Sequence, residues 1–198
     1  DMPLQTGSAY PPANIMFILD DSGSMAFVAM PSDIANDADL SDDINDKSYV
    51  HNTIYYNPAI SYQPWIKADG SRYTGGTAYN DAFSHASLAS GSKNLAADIQ
   101  TWFVPRAGAT NLGDVAQYYR YQIRMVGGAL HVVRSEWDNT RTEGVSNAGC
   151  SASRGFQWRR CTYTTPTGRT DAQEMANFAM WYSYHRTRIK VAKSGKPG

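Results

Sequence analysis

Asn14 to Asp20, "NIMFILD", is a nearly continuous apolar run that stops at an aspartate. Such a run predicts a short strand buried on both faces, as in a parallel sheet. Gly23 then permits a tight turn. Further on, Tyr119, Tyr121, Ile123 and Met125 alternate with Arg120, Gln122 and Arg124. That period of two predicts a half-buried strand. Gly127 and Gly128 turn the chain, and "ALHVV" predicts the second arm of a hairpin. Met175, Phe178, Tyr182, His185, Ile189 and Ala192 recur at three- and four-residue spacing. This predicts a helix over 171–193. Asp171 caps it in this reading, with Glu174 in a capping-box position. Arg186, Arg188, Lys190 and Lys193 suit the negative end of the helix dipole, and Gly195 and Pro197 stop it. His185 on this stripe reads as a packing histidine rather than a ligand.

Between these elements the pattern weakens. Residues 1–13 read as a lead-in. Residues 31–48 hold six aspartates and two asparagines. Asp37, Asp39, Ser41 and Asp43 are spaced somewhat like a calcium loop. However, Asp42 stands where the EF-hand glycine belongs, and Ser48 where the closing glutamate belongs. A solvated loop is the better reading. Residues 49–80 carry turn and aromatic signals and predict short extended pieces. Residues 81–100 are weakly patterned, with Gly91 arguing against one long helix. Residues 134–170 read as loop.

The chain has 198 residues, 42% hydrophobic and 18% charged, a globular composition. Zero formal net charge argues against a general nucleic-acid binder. Residues 1–100 hold 4 Lys+Arg against 12 Asp+Glu, and residues 101–198 hold 14 against 6. The acidic and basic halves are expected to face each other. Thirteen tyrosines and five tryptophans fill a loop-rich core or supply a contact surface. No apolar run is long enough to cross a membrane, and no signal peptide is recognisable. A processed exported precursor would explain a start at Asp1, as would a recombinant one. Cys150 and Cys161 lack metal-site spacing. In an exported protein they predict one disulfide, worth ~3 kcal/mol; two buried thiols are the alternative.

Asp20, Ser22 and Ser24 form Asp-x-Ser-x-Ser directly after the predicted strand. A carboxylate and two hydroxyls are hard oxygen donors. They suit a divalent cation, Mg2+ first and Mn2+ or Ca2+ next, rather than zinc or copper. The carboxyl edge of a sheet is where open α/β folds place ligands. Three ligands do not complete such a site. An enzyme is not expected. Asp-Ser-Gly-Ser is not a Gly-x-Ser-x-Gly nucleophile turn, and His51, His85, His131 and His185 show no partner pattern. No catalytic residue is assigned.

"FILDDSGSM" resembles the metal-ion-dependent adhesion motif of von Willebrand factor type A domains. "NTIYYNPAISYQPW", "YYRYQI" and "EMANFAMWYSYHRTRIKVAKSG" resemble, in that order, the N-terminal region of the type IV pilus-tip adhesin family PilY1/PilC. The resemblance implies an α/β fold: an incomplete von Willebrand factor A (Rossmann-like) domain with a large aromatic-rich, β-containing insertion. Residues 1–25 would be lead-in, first strand and metal loop, 26–170 the insertion, and 171–198 the first helix and chain end. The family completes its metal site with a threonine and an aspartate on loops beyond that helix. Thr110, Asp114, Thr170 and Asp171 are therefore given no metal role, and only Asp20, Ser22 and Ser24 are carried over.

The implied function is that of a pilus-tip adhesin and pilus-assembly protein, or the N-terminal part of one. Its partners would be minor pilins or the rest of the same protein, and a host-cell or surface ligand. The implied location is exported, at the pilus tip or outer membrane of a bacterial surface. The alternative is a structural filament subunit with a vestigial metal motif, self-associating to complete its sheet.

Overall fold

The computed structural model describes residues 22–30, 42–85, 89–137 and 158–194, apart from the side chains of Asp42, Asp43 and Arg160. The predicted strand 14–20, Asp20 and Cys150 lie outside these residues. Four strands form one antiparallel sheet in the order β1 (Gln100–Pro105), β2 (Tyr118–Val126), β3 (Ala129–Trp137) and β4 (Trp158–Tyr163). The hairpin predicted from alternation is β2–β3, with Val126 opposite Ala129. Gly127 and Gly128 both have positive φ, 58° and 86°. Two successive left-handed residues make a turn whose twist matches the strands, and only glycine adopts it freely.

Among the described residues the α-helices are α1 (Asp42–Lys47), α2 (Asp171–Tyr184) and α3 (Arg188–Lys193), with short 3-10 turns elsewhere. The protein thus combines helices with an antiparallel sheet. α2 covers one sheet face. Its Phe178, Ala179 and Trp181 meet Trp102, Tyr121, Ile123 and Val132 from the strands. Tyr56, Tyr62, Ala82 and Leu95 from the long connection before β1 fill the remaining space. The Tyr56 ring lies 4.9 Å from Phe178, 5.3 Å from Trp102 and 5.7 Å from Trp181, centroid to centroid. Edge-on and tilted contacts of this kind add to the area term of burial. On the opposite face Ile44 of α1 packs with Phe103 and Tyr118.

Several expectations are corrected. Residues 134–170 are not all loop, because β3 runs to Trp137 and β4 follows at 158–163. β1 was not foreseen. Its Trp102 and Phe103 point to opposite faces and are 0% and 2% exposed, so it shows no alternation. The acidic segment is helical at its end, with Ile44 and Asn45 buried in α1 and Asp43 on helical backbone rather than a loop. Asp37, Asp39 and Ser41 lie outside the described residues. The helix cap is Thr170, not Asp171. Thr170 Oγ1 accepts from Gln173 N, and Gln173 answers at Thr170 N, so Gln173 rather than Glu174 completes the capping box.

The expected helix 171–193 also breaks. His185 has φ −136° and ψ −5°, and the chain resumes helix at Arg188 with Thr187 as cap. In an unbroken helix Tyr184 C=O would accept from Arg188 N–H. Instead the Trp65 indole donates to Tyr184 O at 2.7 Å, and Arg188 N donates to Phe27 O at 3.2 Å. His185 itself packs beside Tyr62 and donates through Nε2 to Gln63 O.

The expected facing of acidic and basic halves falls largely outside the described residues, since eight of the twelve acidic side chains of residues 1–100 lie there. Lys93–Asp98, His131–Asp171, Arg134–Glu136 and Arg169–Glu174, ion pairs among the described residues, each join partners from the same half.

Candidate functional site

Ser22 opens a 3-10 turn over Gly23–Ala26, closed by Met25 N donating to Ser22 O and Phe27 N donating to Ser24 O. This turn brings the two serine hydroxyls to 2.9 Å from each other, both exposed. Adjacent ligands of an octahedral ion bound at 2.0–2.1 Å stand about 2.9 Å apart, and adjacent equatorial ligands of a pentagonal-bipyramidal calcium ion about 2.7–3.1 Å. The two hydroxyls, which hydrogen-bond to each other, stand at a spacing that suits neighbouring positions around either ion. Ser22 and Ser24 are the residues here that could hold a metal, with Asp20 as the charged third donor by sequence. Among the described residues no group of three or more His, Cys, Asp or Glu could hold a metal ion.

The turn is mounted on the body of the protein. Arg188 of α3 donates its backbone N–H to Phe27 O and its Nε to Ala29 O at 2.9 Å, with its guanidinium 5.5 Å from the Phe27 ring centroid. Asn52, 1% exposed, donates Nδ2 to Val28 O and to Asp46 O, and accepts from Met30 N. Thr53 N donates to Met30 O at 3.0 Å. Phe27 and Val28 nevertheless remain 55% and 46% exposed beside the hydroxyls. Neither Arg188 nor Asn52 carried a sequence signal for this role, since both act through backbone groups distant in the chain.

The residues left without a metal role are engaged elsewhere. Asp114 caps a short turn through Ala116 N, Thr170 caps α2, and Asp171 binds His131 Nδ1 at 2.9 Å and Val132 N at 3.2 Å. Thr110 is exposed. His51 Nε2 lies 2.7 Å from the Tyr118 hydroxyl, which itself donates to Leu112 O. Cys161 is buried and disulfide-bonded.

A second polar group is fully internal. Glu174, 0% exposed, accepts from the Tyr56 hydroxyl at 2.7 Å and from Arg169 Nη1 at 3.2 Å. Burial pushes the Glu174 carboxyl up, against the lowering pull of Tyr56 and Arg169. Arg169 also donates to Pro58 O, Ile60 O and Ser61 Oγ, and Asn177 donates to the Tyr56 oxygen and Ile60 O. Every group in this network is turned toward the chain itself, so it fastens the 56–62 connection to α2 rather than awaiting a ligand.

No family model, no curated protein and no solved structure matches the chain significantly. No helix among the described residues is long and apolar enough to cross a membrane.

Proposed function

We propose that the chain is a type IV pilus-tip adhesin and assembly protein, or its N-terminal part, with a von Willebrand factor A-like metal motif at Asp20, Ser22 and Ser24. The observation that supports this most is the 2.9 Å approach of two serine hydroxyls on an exposed, clamped turn. A bound divalent ion would supply Lewis acidity and an open position for an acidic group of a partner. Asp20 would hold the ion by charge, and the two serines would shape its oxygen shell. Arg188 and Asn52 keep the turn in place, which lowers the ordering cost of binding. Phe27 and Val28 offer apolar area to the same partner. The exported, cell-surface location belongs to the same reading.

The test is thermal unfolding with EDTA, Mg2+, Mn2+ and Ca2+ in turn, for wild type and Asp20→Ala. An ion bound only by the folded state raises the midpoint. The expected result is a rise with Mg2+ in wild type and none in Asp20→Ala. Equal responses in the two proteins would refute the metal role.

A further inference from the structure

We propose that α3 is a pH-sensitive latch on the Ser22–Ser24 turn: protonation of the buried Lys190 side chain loosens α3 and so frees the backbone that Arg188 holds. Its consequence for metal binding rests on the function proposed above, whereas the loosening itself does not.

Lys190 is 0% exposed. Its Nζ has two acceptors, Phe83 O at 3.1 Å and Tyr182 O at 3.2 Å. A neutral amine has two N–H groups, and these two carbonyls match them. An ammonium brings a third donor and a buried charge with no counter-ion. The surrounding titratable and charged groups do not offset it. From α2, the Tyr182 ring lies 6.0 Å from Nζ but is already faced by the Arg186 guanidinium at 4.2 Å. From the helix break, Arg186 adds a like charge, and His185 is committed to Gln63 O. Within α3, Arg188 and Lys193 are further cations. From the chain before β1, Phe83 contributes its carbonyl, and His85 beyond it is exposed. No carboxylate is among these groups. Burial first, and Arg186 second, lower the Lys190 pKa from 10.5 to about 7, so the change of charge falls near neutral pH.

α3 is the part that gives way. It spans six residues against fourteen in α2, and a helix of that length has little stability of its own. Besides Lys190, it is held by Ile189, 4% exposed, and by Trp65 donating to Lys190 O. Arg188, in the same turn of helix, grips Phe27 O through its amide and Ala29 O through Nε. Hydrating the Lys190 ammonium moves α3 off Phe83 and Tyr182, and the two Arg188 bonds go with it.

Amide hydrogen exchange of the whole chain without metal, each rate divided by its intrinsic rate, tests the latch. The opened form takes its proton near pH 10.5 and the closed form near pH 7. Protection at Arg188 and Val191 should therefore fall about tenfold from pH 8 to pH 6. Interior α2 amides such as Phe178 should stay better protected than Arg188 at both pH values. Lys190→Met should abolish the fall. Arg186→Gln, which removes the like charge and no hydrogen bond from α3, should move it to higher pH. Protection at Arg188 that ignores pH, that equals Phe178 throughout, that falls alike in Lys190→Met, or that keeps its midpoint in Arg186→Gln would each overturn the proposal. With no metal present, failure of the metal reading leaves these results untouched.

Discussion

Lys190 gives the sharpest test of the packing. It is 0% exposed, and its Nζ donates to Phe83 O at 3.1 Å and Tyr182 O at 3.2 Å. Its partners are two carbonyls and the Tyr182 ring, 6.0 Å away, not a carboxylate. Burial, and then the nearby Arg186 charge, lower its pKa from 10.5 to about 7. Between these values the unfolded chain holds a proton that the folded chain has shed, so stability rises with pH. The contribution is complete above about pH 10.5 and is lost as pH falls through about 7. From about pH 7 to about pH 9.5 the gain is at most about 3 kcal/mol. Above that window the buried tyrosines act in the opposite direction. Burial raises Tyr56, Tyr62, Tyr79, Tyr118 and Tyr184 above the ordinary 10.0, so the unfolded chain ionises first and stability falls.

The assay is urea unfolding followed by tryptophan fluorescence at steps of pH, on wild type and Lys190→Met. Wild type is expected to show a rise to a maximum near pH 9.5, followed by a fall. Lys190→Met should be flat below that maximum and fall above it in the same way. The slope is the readout, because the substitution also removes two hydrogen bonds and so shifts absolute stability. A flat wild-type profile, or a rise that survives in Lys190→Met, would refute the reasoning.

Arg169→Ala strands a buried carboxylate and should cost about 3 kcal/mol in chemical denaturation, so a loss near zero would contradict the described network. Asn52→Ala removes the bonds to Val28 O, Asp46 O and Met30 N and should cost about 2 kcal/mol. Hydrogen exchange should then quicken at Met30 well before it does within α2. Equal acceleration in both would mean that the turn is not clamped locally.

What the sequence conveyed depended on how far apart the interacting residues lie. The β2–β3 hairpin was legible because alternation and a Gly-Gly turn are local. β1 was hidden because its adjacent Trp102 and Phe103 are both buried, one on each face. The helix was legible as far as Tyr184. Its end was not, since the group that takes the Tyr184 carbonyl is Trp65, 119 positions away. Glu174 reads as a capping-box residue from its position alone. It is buried because Arg169 and Tyr56 satisfy it, and side-chain type alone expects a glutamate outside.

The helix break ties these parts together. Had α2 continued to residue 193, the Arg188 amide would have been consumed inside the helix, leaving Phe27 O without that donor. By taking the Tyr184 carbonyl, Trp65 of the aromatic connection compensates the lost helical bond, while Arg188 turns to the backbone of Phe27 and Ala29. The aromatic residues before β1 are therefore part of the mount of the Ser22–Ser24 turn, not a separate lobe beside it. Loss of packing at Trp65 would then disturb the turn as well as the end of α2.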